Sequence, residues 1–103
     1  MTEAEFQSKV IDLAKWCGWR VFHPRPAQLG TEGRWATHYT GDAGFPDLVM
    51  CHPRKGVLFA ELKSDTGRVS AAQTMWLTEL VDAGAKVHLW QPKHWAEIEA
   101  RLK

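Results

Sequence analysis

A chain of 103 residues, 45% hydrophobic and 24% charged, has an ordinary globular composition that excludes disorder and predicts one domain over residues 1–103. A net charge of +1 excludes a global basic field, so a nucleic-acid partner is permitted without being demanded. Cys17 and Cys51 lack CxxC or CxxH neighbours, which argues against zinc; with no charged-then-apolar leader and no apolar run near about 18 residues, a cytoplasmic protein with reduced thiols is expected.

Thr2 to Cys17 is predicted to be helical. Phe6, Val10, Leu13, Ala14 and Cys17 recur at helical spacing, Thr2 and Glu5 form a capping box, and Gly18 is a natural stop. Arg20 to His23 reads as a short strand. Pro24 to Phe45 has no clear period and is expected to be a long loop, of the kind that is functional or mobile. Two apolar runs follow, Asp47 to Cys51 and Val57 to Lys63, joined by the Pro- and Gly-containing connection His52–Gly56 as a hairpin. Leu48, Met50, Leu58, Ala60 and Leu62 share one face, and Val49, Cys51, Val57 and Phe59 the other. Two apolar faces predict strands covered on both sides.

Ser70 to Ala83 is the clearest helix, with a Ser70–Gln73 capping box, a Gly84 stop and a stripe of Trp76, Leu77, Leu80 and Val81 expected to be buried. Lys86 to Trp90 reads as a strand closed by Pro92, and Trp95, Ile98 and Leu102 mark a last short helix. The order α-β-(loop)-β-β-α-β-α predicts an α/β fold, a four-stranded mixed sheet flanked by helices, with the second helix as the crossover between parallel strands. Six Trp are many for this length; some are expected in the core and some at a subunit interface.

The hairpin register gathers the chemistry. If Cys51 pairs with Val57, Asp47 falls directly opposite Glu61, with Cβ atoms about 4.5–5.5 Å apart. Alternation then puts Lys63 on the face of Glu61. Two acids and a lysine on an apolar sheet must pair, shift their pKa or take a cation. A hard divalent ion, Mg²⁺ or Mn²⁺, offsets both acids and activates water for phosphodiester hydrolysis. The bland alternative makes Asp47 a turn cap after Pro46 and Glu61–Lys63 an exposed edge pair; the flanking Ala60 and Leu62 speak against it.

Gly44-Phe45-Pro46-Asp47 followed by Glu61-Leu62-Lys63 looks like the PD-(D/E)xK nuclease signature. With the acid-bearing first helix, the Ser-x-x-Gln helix, the Ala-Gly turn and the Val-His-Leu-Trp strand, nearly the whole chain resembles the VRR-NUC family of virus-type replication-repair nucleases, in its stand-alone phage or bacterial form. The short acidic motif alone is weak; the ordered set is specific.

The resemblance implies a restriction-endonuclease-like fold, divalent-metal dependence, and cleavage of branched or flapped DNA, with members of this size similar to Holliday-junction resolvases that act as homodimers. By the same resemblance Asp47, Glu61 and the main-chain carbonyl of Leu62 hold the metal, and Lys63 orients the attacking water. It also sets Gln73 beside the site, although the capping box alone accounts for a Gln there. The helical wheel and the family pattern both favour Glu3 over Glu5 as an additional metal-site acid.

His23, Arg25, Arg34 and His38 are candidates for DNA phosphate contact, the alternative being a solvated loop surface. His88, between Val87 and Leu89, reads as a core or rim histidine. Three rivals remain: a flap or single-strand nuclease, a DNA-binding module without cleavage, and an enzyme acting on a small phosphorylated substrate. The intact Asp47, Glu61 and Lys63 argue against the second, and the lack of a Gly-rich phosphate loop against the third. Little length remains for a base-reading element, so recognition of DNA shape is expected rather than of sequence.

Overall fold

A computed structural model describes residues 1–24, 27–29, 34–36 and 40–103, with the side chains of 27–29 and 34–36 outside that description. Helix α1 (Glu3–Trp16) begins on a complete capping box: Glu5 N donates to the Thr2 hydroxyl at 3.1 Å, and Thr2 N donates to the Glu5 carboxylate at 3.1 Å. The chain continues through β1 (Arg20–Phe22), β2 (Ala27–Leu29), β3 (Arg34–Ala36), β4 (Leu48–His52), β5 (Gly56–Leu62), α2 (Ala71–Asp82), β6 (Lys86–Trp90), a 3-10 turn (Pro92–His94) and α3 (Trp95–Leu102).

The expected mixed sheet is present, in the order β1-β4-β5-β6. Strands β1 and β4, and β4 and β5, run antiparallel, while β6 lies parallel to β5 after the α2 crossover. The hairpin register is the one its loop length predicts: Cys51 pairs with Val57 and Leu48 with Ala60. One expectation fails in the Pro24–Phe45 segment, where β2 and β3 form a separate antiparallel pair instead of loop throughout. Three-residue strands are too short for alternation to announce them.

The core lies on one face of the sheet. Leu48, Met50, Leu58, Ala60, Leu62 and Trp90 are buried there against Phe6, Val10 and Ala14 of α1 and Ile98 and Leu102 of α3. Trp19 closes its edge by donating from Nε1 to the Leu102 carbonyl at 3.0 Å. The other face departs from the expected two-sided burial. Cys51 is exposed, Val57 is 50% exposed, and Val49 and Phe59 are only half-buried. α2 packs on β6 at this side, yet none of its residues is fully buried, and Val81 of the predicted stripe is 57% exposed. A single amphipathic helix does not cover four strands, and an apolar strand residue does not reveal whether anything covers it. Among the described residues Trp19 and Trp90 are buried in the core, and Trp16 is 88% exposed.

Candidate active site

The hairpin places its acids as its register requires. Asp47 immediately precedes β4, opposite Glu61 near the end of β5, and Asp47 Oδ2 accepts from the Leu62 amide at 2.8 Å. That bond fastens the carboxylate across the open end of the hairpin. Glu61 is fully buried, and among the described residues neither of its carboxylate oxygens has a hydrogen-bond partner. Burial, then the neighbouring Asp47 carboxyl, push the Glu61 carboxyl up to about 9, with Glu3 adding repulsion and Lys63 pulling the other way. Lys63 is half-buried, its amide held by the Trp90 carbonyl at 3.0 Å, and it makes no ion pair with either acid.

Gly44 and Phe45 seat this pair. Gly44 has φ +95°, and a Cβ there would stand 2.5 Å from the Ala72 carbonyl carbon and 2.7 Å from the Gln73 amide. Only a residue without a side chain lets the strand-leading segment approach the first turn of α2 so closely. Phe45 then packs edge-on against Phe59 at 6.0 Å and Trp76 at 5.0 Å, joining β5 to α2. The Gly-x-Pro-Asp spacing carries the signal for this packing, which sequence reasoning absorbed into the motif without drawing it.

Among the other predicted residues, Gln73 has its cap role: its Oε1 accepts from the Ser70 amide at 2.9 Å, and its own amide donates to Ser70 Oγ at 3.2 Å. Glu3 and Glu5 are separated by the structure. Glu5 is engaged in the α1 cap, where the Thr2 amide holds its carboxyl below the ordinary value, whereas Glu3 is the one whose charge reaches Glu61. Even so, no three His, Cys, Asp or Glu side chains among the described residues close on one point. His23 Nδ1 lies 2.7 Å from the main-chain carbonyl of Asp47, so this ring is bonded to the backbone of the acid. Arg25, His38 and the side chain of Arg34 lie outside the described residues. His88 is a rim histidine, half-buried and stacked on Trp90 at 4.9 Å, with burial and then Arg101 lowering its pKa against an opposing pull from Glu97.

The donor set suits a hard divalent cation. Both Glu61 oxygens lack a partner among the described residues and stand beside the Asp47 carboxylate, and oxygen donors are what Mg²⁺ and Mn²⁺ take. A buried acid without a partner is expensive unless it is protonated or ligated.

The VRR-NUC domain model matches residues 25–93, and the chain belongs to that nuclease family. It is similar to the Fanconi-associated nuclease 1 homolog of Schizosaccharomyces pombe (strain 972 / ATCC 24843), with 38% identity over 48 residues, 46% of this chain; the match spans 7% of that relative's length. Among solved structures, a VRR_NUC domain aligns with a TM-score of 0.65 and 22% identity, covering 97% of this chain and 94% of the other. A VRR_NUC domain protein aligns at 0.54 and 21% identity, covering 88% of this chain and 78% of the other. Both likenesses support the fold.

Proposed function

We propose that this chain is a divalent-metal-dependent DNA endonuclease, acting on branched DNA as a homodimer in the manner of a Holliday-junction resolvase. The observation that carries the reading is the buried, partnerless Glu61 opposite Asp47. Asp47, Glu61, the Leu62 carbonyl and Glu3 would hold Mg²⁺ or Mn²⁺. When bound, such an ion lowers the pKa of water toward neutrality and offsets charge developing on the scissile phosphate.

The protein's own groups supply the remainder. Asp47, pinned by the Leu62 amide, and Glu61, fixed by burial, keep two carboxylates at a set separation. Lys63 orients the attacking water and stabilises the phosphate's negative charge, and the Gln73 amide nitrogen helps hold that water while its oxygen caps α2. His23 fixes the Asp47 backbone. With Arg25, Arg34 and His38 it would contact DNA phosphates near the cut.

Cutting two strands symmetrically needs two such sites, hence two subunits. Apolar side chains left exposed on the open side of the sheet and on α2, Phe22, Val57, Met75, Val81 and Leu89, support a subunit contact. Light scattering should give a dimeric mass, with or without DNA; a strictly monomeric mass in both would remove the paired-nicking part of the proposal.

The test is cleavage of labelled four-way junction, flap, single-stranded and linear duplex DNA with Mg²⁺ or Mn²⁺, beside Lys63→Ala and Asp47→Asn. Metal-dependent cutting lost in both variants supports the centre, and a preference for the junction separates resolvase from flap or single-strand nuclease. DNA binding without any cutting by wild type would point instead to a binding module.

A further inference from the structure

At the opposite end of β5 from Glu61, the β4–β5 turn, the start of β6 and the ends of α2 and α3 surround an open cleft of about 940 Å³. Among the described residues its lining contains Arg54, Lys55, Lys86, His88 and Arg101 and no acid. The Lys55 ammonium is engaged, donating to the main-chain carbonyls of Leu102 and Lys103 and so tying the turn to α3. Lys86 reaches only the Lys55 carbonyl, at 3.4 Å. Among the described residues Arg54, Lys86 and Arg101 form no ion pair, and Glu99 of α3 is taken by Lys103 at 3.1 Å. Glu97 acts on His88 without lining the cleft.

These cations come from three separate stretches of sequence, and among the described residues no carboxylate pairs with Arg54, Lys86 or Arg101. Like charges gathered around a concave surface attract anions, above all a polyanion that releases its own counterions on binding. Two planar guanidinium groups and two ammonium groups with an imidazole are donors, and among the described residues no lining acid is present to read a base amine. Along β5 the turn at Gly56 stands five residues from Glu61, roughly 17 Å at strand rise, while Lys86 and His88, paired with Leu58 and Ala60, lie nearer to it.

We propose that this cleft is a second DNA-backbone site, in which Arg54, Lys86 and Arg101 bind phosphates of the duplex arm lying several base pairs from the cut. It rests on the reading of the chain as a DNA nuclease and extends it, since a site held at two points along an arm is positioned on the branch by geometry.

The test uses Arg54→Gln with Lys86→Gln, both exposed and outside the catalytic centre, in a Lys63→Ala background that leaves DNA intact. Binding of a labelled four-way junction is followed by anisotropy across a salt series, with melting curves confirming an unchanged fold. With arms of about ten base pairs the pair of substitutions should weaken binding on the order of tenfold, and the salt slope should fall by about 2. Arg54→Lys with Lys86→Arg keeps the charges and should restore binding. Equal affinity and slope on the long arms, while wild type still cuts, would overturn the second site and leave the nuclease reading standing. Resonance shifts at Lys86 and His88 with inorganic phosphate or a mononucleotide, but no loss of long-arm binding in the variant, would make the cleft a small-anion site and also overturn it. Wild type that neither binds nor cuts DNA would fail the nuclease reading first.

Discussion

The two faces of the central sheet follow opposite rules. Towards α1 and α3, β4 and β5 contribute Leu48, Met50, Leu58, Ala60 and Leu62, all apolar and buried, with the half-buried His52 against Trp19 at the rim, and the packing is that of an ordinary core. Towards α2, the apolar residues are half-covered or open, and the one strand side chain among the described residues that is fully buried is a carboxylate, Glu61. A fold that leaves valine and leucine in water while hiding an acid is not arranging that face for stability. Burial costs a charge far more than exposure costs a methyl group. The closed face holds the molecule together, and the open face carries Asp47 and Glu61, the two carboxylates on which the proposed cleavage rests.

Substitutions should separate the faces. The largest effect expected is on cleavage: Asp47→Asn or Lys63→Ala should lower the rate on the order of 10³-fold or more, with little change in the melting midpoint. A variant that lost activity only in proportion to a lost fold would blur the division. Next, Leu58→Ala on the closed face should cost about 2–5 kcal/mol in denaturant unfolding, whereas Val57→Ala, its neighbour pointing the other way, should stay within about 0.5 kcal/mol. Comparable losses at both positions would mean that the open face is covered after all.

Gly44→Ala joins the two concerns. It forces a side chain against the α2 backbone at a positive φ, so it should destabilise by about 1–3 kcal/mol and reduce cleavage beyond that loss by shifting Asp47 against Gln73. Normal activity in this variant would show that the close approach is dispensable.

The most gradual effect follows pH. Glu61 holds its proton in the folded chain up to about 9 against an ordinary value of 4.5. Its contribution is therefore fully present below the unfolded value and is lost as pH rises towards the folded one. In chelator, Glu61→Gln should thus gain on wild type in melting temperature between about pH 5 and 9, and Mg²⁺ or Mn²⁺ should narrow that gap by stabilising wild type alone. A gap that stays constant across this range would mean that the acid is already ionised when buried.

Local rules made much of this readable in advance. Thr2 with Glu5 and Ser70 with Gln73 announce both long helices through bonds that involve only their own turns, and the connection between β4 and β5 sets the register that brings Asp47 opposite Glu61. Where the sequence misleads, the information is not local. Val49, Val57 and Val81 read as interior because the pattern reports polarity and not what lies above it. The β2–β3 pair is too brief for a period to emerge. His23 looks like one more basic loop residue until the fold brings it to the Asp47 carbonyl, and Arg54, Lys86 and Arg101 become a cluster only once three chain ends converge.

The hairpin itself carries a consequence for how the molecule assembles. Its turn, beside Gly56, lies at one extremity and its two acids at the other, so zipping from the turn joins the acids last. The cost of burying Glu61 beside Asp47 falls on the rung that closes the ladder, which makes that rung the first to fray in the finished protein. Hydrogen exchange at the Leu62 amide, whose acceptor is Asp47 itself, should therefore be faster than at Leu58 within the same strand. A ligand that neutralises the acids would act as a latch on this end, slowing that exchange without touching the turn.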